Sequence, residues 1–399
     1  MLDVAVARAR ILENLSSCGS ETVSVAAACG RVLAQPLTAR LSNPPVSVSS
    51  MDGYAARAED ALEGATLRVM GEAPAGHPSP LTVGPGECLR VFTGSQIPTG
   101  ADCILIQENV RQDGALATLQ AAGRLNQFIR HQGQDFTAGQ MLLPAGKTLS
   151  ARDIGLATAA GHLWLPVASR PRVGILATGD EIILPGEPAK PDSIVNSGAF
   201  MVSAYLNSIG AKAILLPVAR DNAASLSASI AHAAHLDLLV TIGGASVGTY
   251  DLVQQTLKDH GLSLDFWKIA MRPGKPLMSG KLGNTPMIGL PGNPVAAMVC
   301  SLVFVAPAVR ALMGQHISTE IETEAAILGA DVRENDQRQD FMRCTLSPHA
   351  EKGLPVVTPF PSQDSAQLNI LAQSDALLVR APFAPAEKTG AACRIMRLP

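Results

Sequence analysis

The sequence predicts a multidomain protein of the α/β plus β class. Three observations lead to this prediction. The chain has 399 residues, enough for several domains that each bury their own core. Residues 41–146 and the segment after Gly314 carry short strand-like runs interrupted by Pro and Gly, as in small β domains. From Arg172 onward, strands and helices alternate in the rhythm of an open, mostly parallel α/β sheet.

The individual elements follow from local patterns. The first 30 residues place apolar side chains at helical spacing among charged ones, which predicts an amphipathic helix ending near Gly30 and not a signal peptide. Residues 150–162 begin with Ser150, a favoured N-cap, and predict a second helix that ends at Gly161. The α/β region has predicted helices at 197–209 and 223–234. Predicted strands are 65–70, 87–92, 103–107, 173–177, 211–218, 236–242, 325–328, 341–346, 356–358 and 376–379.

Composition narrows the classes of function. The formal net charge of −3 argues against a nucleic-acid-binding protein, which usually carries a basic surface. The seven cysteines are scattered and form no Cys-x-x-Cys pair, so neither a disulfide framework nor a zinc site is indicated. The longest apolar stretch, 295–309, is short for a membrane span and contains Pro307, which favours a core helix. We therefore expect a soluble, cytoplasmic protein with no membrane partner.

Three glycine-bearing turns between residues 236 and 294 predict an anion-binding site. The first follows a buried strand and precedes a predicted helix at 252–257, so its backbone N–H groups suit phosphate-like oxyanions. The third contains Asn293 and Pro294, which are favoured as the N-cap and the first residue of a helix. Ligands of parallel α/β sheets bind at the carboxyl ends of the strands. The Thr178–Glu181 turn and the Gly243 turn both leave predicted strands at that end, so we expect them to face one crevice.

The turn between these two is cationic and carries Arg272 and Lys275 around a Pro-Gly pair. If 267–271 is a strand, Lys268 and Arg272 point to one face and place two cations beside the anion site. The alternative interpretation is a solvated edge strand, although Pro273 and Gly274 constrain the backbone more than such an edge requires.

Several carboxylates also lie in turns. Asp180 and Glu181 come just after a strand and a Gly. They could bind Mg²⁺ through their oxygens or belong to an N-cap or a solvated turn, and the residues alone leave both interpretations open. Asp221 and Asp251 raise the same question. Asp52 sits in a loop rich in Pro and Ser, where an Asp-Gly pair by itself indicates only a turn.

Taken together and in this order, the motifs resemble the MoeA family of molybdopterin molybdenumtransferases, which is related to the E domain of gephyrin. The segments that carry the resemblance are Pro44-Pro45 with Ser50–Ala55, Thr93-Gly94 with Ile97-Pro98, Gly133–Phe136, Ala177–Glu181, Gly243–Gly248 with Asp251, Pro273–Pro276 and Gly289–Pro294. Many family members have Lys at the position of Arg272, Glu at that of Gln134 and Val at that of Ala245. Arg at 272 keeps the charge but presents a planar fork of donors.

The resemblance implies an elongated homodimer whose subunit has four structural parts. They are a helical linker domain (1–40 and 147–170), a β-rich domain (41–146), a MoaB/Mog-like doubly wound α/β domain that binds molybdopterin (171–315) and a C-terminal β-barrel-like domain (316–399). In such proteins the active cleft lies between the Mog-like domain of one subunit and the β-rich domain of the other. Other proteins of molybdenum-cofactor biosynthesis are implied as further partners.

The implied reaction converts adenylated molybdopterin and molybdate into the molybdenum-loaded cofactor and AMP, with Mg²⁺ as cofactor. The implied catalytic residues are Asp52, Thr93, Asp135, Glu181, Asp221, Asp251, Lys268, Arg272 and Lys275. The implied substrate-binding residues are Gly243, Gly244, Ser246, Gly248, Pro291, Gly292, Asn293, Pro294, Arg343 and Ser365. We expect Asp180, Glu181 and Asp251 to hold or orient Mg²⁺.

Two other functions are compatible with parts of the sequence. The first is molybdopterin adenylylation or nucleotide hydrolysis by the Mog-like domain, but stand-alone Mog-like proteins lack the β-rich loop and the C-terminal domain. The second is a scaffold of the gephyrin kind. The sequence shows neither a second Mog-like domain nor a long disordered linker, which favours a biosynthetic enzyme.

Overall fold

The computed structural model describes residues 1–231, 235–243, 256, 258–348 and 353–399. The chain forms two compact units. One unit is Thr22–Pro166, and the other combines Met1–Glu21 with Val167–Pro399. Each unit has its own hydrophobic cores, as the length of the chain predicts.

The N-terminal helix is shorter than predicted. Helix α1 spans Val4–Glu13, and its N-cap Asp3 accepts a hydrogen bond from the backbone of Ala5 (2.8 Å). The prediction that the helix continues to Gly30 is wrong, because Ser20–Ser24 forms strand β1 and a 3₁₀ turn follows it. This strand contains Thr and Val side by side, and such β-branched side chains favour strands over helices.

The unit Thr22–Pro166 is built on a six-stranded sheet. The strands of this unit are β2 (Leu37–Thr38), β3 (Val48–Ser49), β4 (Gly53–Ala56), β5 (Thr66–Ala73), β6 (Glu87–Val91), β7 (Cys103–Ile106), β8 (Val110–Asp113), β9 (Leu116–Leu119), β10 (Ile129–Arg130) and β11 (Met141–Leu143). The sheet order is β7-β4-β6-β5-β9-β8, with β5 and β6 parallel and the other pairs antiparallel. Tyr54 packs into one core and Ala55 into another, so β4 is fixed from both faces. Asp52 directly precedes this fixed strand.

Helix α2 (Ala151–Ala159) begins as predicted. Its N-cap is Ser150, and Asp153 accepts hydrogen bonds from the backbone N–H (2.8 Å) and the hydroxyl (2.7 Å) of Ser150. The Nζ atom of Lys147 lies 2.5 Å from Oδ1 of Asp153. Burial by itself raises the pKa of Asp153, but the hydrogen bonds from Lys147 and Ser150 outweigh it and lower this pKa to about 2.

This lowered pKa predicts an acid-sensitive contribution to stability. Asp153→Asn should reduce the free energy of unfolding at neutral pH by about 1–2 kcal/mol, because the charge-assisted cap is weakened. Since the folded-state pKa lies below the unfolded value, this contribution is complete above about pH 5 and is lost progressively as the pH falls to about pH 1. Thermal unfolding measured across this range, with the exposed Glu63→Gln as control, tests it. A difference that is as large at about pH 1 as at neutral pH would contradict the assignment.

The α/β part of the other unit has the predicted alternation. After β12 (Trp164–Ala168), its strands are β13 (Arg172–Ala177), β14 (Ile182–Ile183), β15 (Ile194–Val195), β16 (Lys212–Leu215), β17 (Leu238–Ile242), β18 (Leu262–Trp267), β19 (Met271–Arg272), β20 (Met278–Leu282) and β21 (Thr285–Leu290). Helices α3 (Ser197–Ser208) and α4 (Ala223–Ala231) lie between strands. The predicted helix at 252–257 falls outside the described residues except for residue 256.

The main sheet of this part has six strands in the order β16-β13-β17-β21-β20-β18. The first four are mutually parallel, and β20 and β18 are antiparallel. Every residue of β17 is buried, which explains its continuous apolar sequence, since central parallel strands are covered on both faces. The four parallel strands therefore end at one edge of the sheet.

A long apolar helix packs inside this unit. It comprises α5 (Pro294–Cys300), a π-helical turn (Ser301–Val305) and α6 (Ala306–Leu312). By length and composition it could cross a membrane, but 83% of its apolar stretch is buried within the protein. This burial is typical of a core helix, as predicted from the sequence.

The C-terminal strands form a closed five-stranded barrel. They are β22 (Glu324–Leu328), β23 (Gln339–Pro348), β24 (Pro355–Pro359), β25 (Ala376–Arg380) and β26 (Ala392–Arg397), with the short helix α7 (Leu368–Ala372) before β25. The order β23-β24-β22-β26-β25 is closed by pairing of β25 with β23, which leaves no free edge. Strand β26 was not predicted. The predicted fold class, a doubly wound α/β domain with β-rich and barrel-like parts, is confirmed.

Candidate active site at the carboxyl edge of the α/β sheet

Four segments that contain predicted site residues leave the parallel strands at the same edge. They are Thr178–Glu181 after β13, the segment with Asp221 after β16, Gly243 after β17 and Pro291–Pro294 after β21. Backbone hydrogen bonds join neighbouring turns, from Thr178 N to Ile242 O (3.0 Å) and from Gly179 N to Ala219 O (3.0 Å). This edge is where parallel α/β sheets bind ligands.

Glycine is required where two of these turns meet. Gly243 has a φ of +93°, and a Cβ added there would lie 2.8 Å from the carbonyl oxygen of Thr178. A Cβ on Gly292 would lie 3.5 Å from the Cα of Gly243. Only glycine allows this conformation and this close approach at 243 without strain. The predicted residues Gly244, Ser246, Gly248 and Asp251 lie outside the described residues.

Carboxylates converge on this edge from two turns. The backbone N–H of Asp221 donates to Oδ1 of Asp180 (3.0 Å). Burial raises the pKa of Asp221, and the negative charges of Asp180 and Glu181 raise it further. The repulsion among these groups is the condition that a divalent cation relieves. Among the described residues, no three Asp, Glu, His or Cys side chains are grouped as a metal site.

The cationic turn does not have the predicted strand geometry. The prediction that 267–271 is a strand with Lys268 and Arg272 on one face is wrong, because β18 ends at Trp267 and Lys268 has a φ of +69°. The Nζ atom of Lys268 lies 3.6 Å from the centroid of the Trp267 ring, a cation–π contact. Lys275 is exposed.

Pairing places this turn beside the third glycine turn. Trp267 pairs with Met278, and Met278 pairs with Gly289, so residues 268–277 leave the sheet next to the end of β21. The exposed Lys275 and the half-buried Lys268 therefore lie at the edge of the sheet where the four turns meet.

Arg272 forms hydrogen bonds and ion pairs with side chains of the C-terminal barrel domain. Its guanidinium contacts Asp340 (2.5 Å), Asp336 (3.3 Å) and the side-chain oxygen of Asn335 (3.1 Å). The hydrogen bond from Arg272 to Asp340 is the main cause of the raised pKa of Arg272. Arg272 also pairs with Asp340 where β19 extends the sheet of β23 in parallel. Its charge is thus balanced by two carboxylates, and it ties the cationic turn to the barrel.

Ser365 of the barrel contacts the third glycine turn. The side-chain amide of Asn293 donates to the Ser365 hydroxyl (2.8 Å), and Val295 N donates to the Ser365 carbonyl (3.3 Å). Asn293 is the N-cap of α5, as predicted, although its side chain does not cap the helix. Arg343 is 2% exposed, and its guanidinium donates to three carbonyl groups of the loop that carries Ser365.

The unit Thr22–Pro166 brings together two further predicted residues. Oδ1 of Asp52 accepts hydrogen bonds from the backbone N–H (2.7 Å) and the hydroxyl (2.9 Å) of Thr93. These bonds from Thr93 lower the pKa of Asp52, and the charge of Arg90 adds a smaller effect in the same direction. Asp135 accepts a hydrogen bond from the side-chain amide of Asn43 (3.1 Å).

Two residues near these groups were missed from the sequence. Arg90 stacks over Tyr54, with its guanidinium carbon 5.0 Å from the ring centroid, and lies close enough to Asp52 to influence its pKa. Arg220 donates hydrogen bonds to the turn that contains Asp180. An arginine directly before Asp221 in a loop was the available signal for Arg220, whereas Arg90 lies in a strand and gave none.

The fold and the site together define a class of protein. A parallel sheet gathers glycine turns, cations and carboxylates at one edge beside a β barrel, an arrangement suited to phosphorylated or oxyanionic substrates. Family models match three consecutive segments: "MoeA N-terminal region (domain I and II)" over 2–161, "Probable molybdopterin binding domain" over 174–311 and "MoeA C-terminal region (domain IV)" over 325–394.

Similar proteins agree with these matches. A molybdopterin molybdenumtransferase of Nostoc sp. is 37% identical over 304 residues, covering 74% of this chain and 70% of that protein. Molybdopterin molybdenumtransferase 2 of Mycobacterium tuberculosis is 34% identical over 382 residues, covering 92% of each. The crystal structure of a molybdopterin biosynthesis MoeA protein from Pyrococcus horikoshii matches with a TM-score of 0.87 at 25% identity, over 100% of this chain and 99% of that one. The chain belongs to the MoeA family, as its motifs predicted.

Proposed function

We propose that this chain is a molybdopterin molybdenumtransferase, which inserts molybdenum from molybdate into adenylated molybdopterin and releases AMP. The observation that carries this proposal is the presence of all three MoeA segments in one chain, at 34% identity with a named transferase over 92% of its length. The relatives' names support the transferase reaction over molybdopterin adenylylation, nucleotide hydrolysis or a gephyrin-like scaffold.

The residues at the edge of the sheet suit this chemistry. Backbone N–H groups of the glycine turns bind phosphate oxygens, and Lys268 and Lys275 stabilise negative charge that develops as the phosphoanhydride is cleaved. Arg272 holds the turn between these lysines against the barrel through Asp340. No covalent nucleophile is required, since the groups present bind and stabilise charge.

We further propose that Mg²⁺ is the cofactor. The oxygen donors of Asp180 and Glu181 fit a hard cation, and burial together with the negative charges of these two residues raises the pKa of the neighbouring Asp221. Asp251, the third predicted ligand, lies outside the described residues. When bound, Mg²⁺ would neutralise phosphate charge, while Asp180 and Glu181 would hold it in place.

We also propose that the protein is a cytoplasmic homodimer. In this arrangement Asp52, Thr93 and Asp135 of one subunit would complete the site built around the carboxyl edge of the partner's sheet. The contact between Asp52 and Thr93 supports this, because it fixes the position of both side chains and favours the ionised form of the Asp52 carboxylate.

The proposed transferase activity can be tested directly by measuring AMP release. Purified protein incubated with adenylated molybdopterin, Mg²⁺ and molybdate should release AMP at a rate that depends on the molybdate concentration, and chelation of Mg²⁺ should suppress it. AMP measured by chromatography, together with molybdenum retained on the pterin, reports both products. AMP release that is independent of molybdate would instead favour nucleotide hydrolysis.

A further inference from the structure

Arg220 links the two turns that carry the carboxylates. One of its terminal nitrogens, Nη1, donates to the carbonyl oxygens of Asp180 (2.9 Å) and Ile182 (3.0 Å) and lies 3.5 Å from that of Gly179. The carbonyl groups of Gly179 and Asp180 belong to the turn after β13 and that of Ile182 to the first residue of β14, whereas Arg220 belongs to the segment after β16. One side chain therefore spans both turns.

Backbone contacts around Arg220 complete this link. The N–H of Gly179 donates to the carbonyl of Ala219, and the N–H of Asp221 donates to the carboxylate of Asp180. The backbone N–H of Arg220 is itself held by the hydroxyl of Ser225 (3.0 Å) at the start of α4. The backbone of Arg220 is thus fixed to helix α4, while its guanidinium group is fixed to the turn after β13.

The link formed by Arg220 also counteracts electrostatic repulsion between the two turns. Asp180, Glu181 and Asp221 bring three formal negative charges together, and their mutual repulsion would drive the turns apart. Arg220 supplies a positive charge beside them and directional donors that close the gap. All three contacts are made by one terminal nitrogen, so lysine would keep the charge but, with a shorter side chain, only part of these contacts.

We propose that Arg220 is a positioning residue that holds Asp180 and Glu181 in the arrangement needed to bind a divalent cation. This inference rests on the proposed function, because the cation is the one assigned to the transferase reaction. In this role Arg220 acts through the two turns that carry the carboxylates. Partners that orient metal ligands in this way typically change metal affinity or activity by about 10–100-fold when removed.

The test compares Arg220→Met, Arg220→Lys and Arg170→Met in the full chain. Arg170 is an exposed arginine of the same unit without a hydrogen bond or ion pair among the described residues. Arg220→Met should raise the Mg²⁺ concentration for half-maximal activity by about tenfold or more, with the KM for molybdate nearly unchanged. Arg220→Lys should fall between this variant and wild type, and Arg170→Met should match wild type.

Hydrogen exchange provides a readout that does not depend on activity. In Arg220→Met without Mg²⁺, peptides containing the amides of Gly179 and Asp221 should exchange faster, because those amides bridge the two turns. Peptides from β17 and the barrel should exchange at the wild-type rate.

Three outcomes decide the inference. Unchanged exchange and an unchanged Mg²⁺ requirement in Arg220→Met would overturn it. Faster exchange throughout the unit would also overturn it, since Arg220 would then support the whole fold. If wild-type protein releases no AMP with molybdate, the proposed function fails, whereas local exchange at the two turns still decides whether Arg220 holds them together.

Discussion

Chains carrying Asp52→Ala or Lys275→Ala are each expected to lose about 100-fold or more of the molybdate-dependent AMP release. If the proposed homodimer shares each site between its two chains, an equal mixture of the two variants, dissociated and reassembled, is expected to recover about a quarter of the wild-type rate. Half of the dimers in that mixture contain one chain of each kind. In each mixed dimer, one of the two sites has both residues intact.

The physical basis is the placement of the two residues on different compact units. Asp52 is held by Thr93 in the unit Thr22–Pro166, and Lys275 lies in the turn beside β21 of the other unit. If each site draws its two halves from different subunits, the defects complement. If both halves come from one chain, the mixture gives no more activity than its components.

A matched control uses two residues of the same half-site. Thr93 donates two hydrogen bonds to Asp52, so both belong to one half. A mixture of Asp52→Ala and Thr93→Ala chains should therefore recover no activity, since every site lacks either the Asp52 carboxylate or the Thr93 hydroxyl. Recovery in this control would show that mixing itself restores activity by another route, and the shared-site assignment would fail.

The fold was largely predictable because burial leaves a clear periodic signal. β17 is buried throughout and reads as an unbroken apolar run, and α2 begins at a complete capping box. β26 was missed because only Ile395 is fully buried, and its arginines interrupt the pattern. The N-terminal segment was misread because apolar residues at 22–28 also fit helical spacing, although Ser20–Ser24 pairs as a strand.

The candidate site was predictable where neighbours in sequence determine it and not where distant residues do. The turns after β13 and β21 were located by their glycines and prolines. The partners of Arg272 were not, because Asp336 and Asp340 lie 64 and 68 residues away and meet it only through the barrel. The direction of Lys268 depended on a positive φ at a residue other than glycine, which sequence patterns rarely indicate.

Arg343→Met is expected to lower the free energy of unfolding by about 3 kcal/mol, because three partly buried carbonyl groups lose the charged donor of a buried side chain. These carbonyl groups belong to Ser362 (3.4 Å), Asp364 (2.9 Å) and Gln367 (3.1 Å). Burial lowers the pKa of Arg343, and the nearby Asp364 opposes that effect. Urea unfolding of Arg343→Met against the exposed Arg333→Met on the same barrel measures the loss.

The same substitution should also weaken catalysis through Ser365. The loop held by Arg343 places Ser365 against Asn293 and the start of α5, so its release should displace the third glycine turn. Ser365→Ala leaves Arg343 and the loop in place, and it should reduce activity without the large loss of stability. If Arg343→Met unfolds at the same urea concentration as Arg333→Met yet loses activity, Arg343 acts on the substrate directly and not by holding this loop.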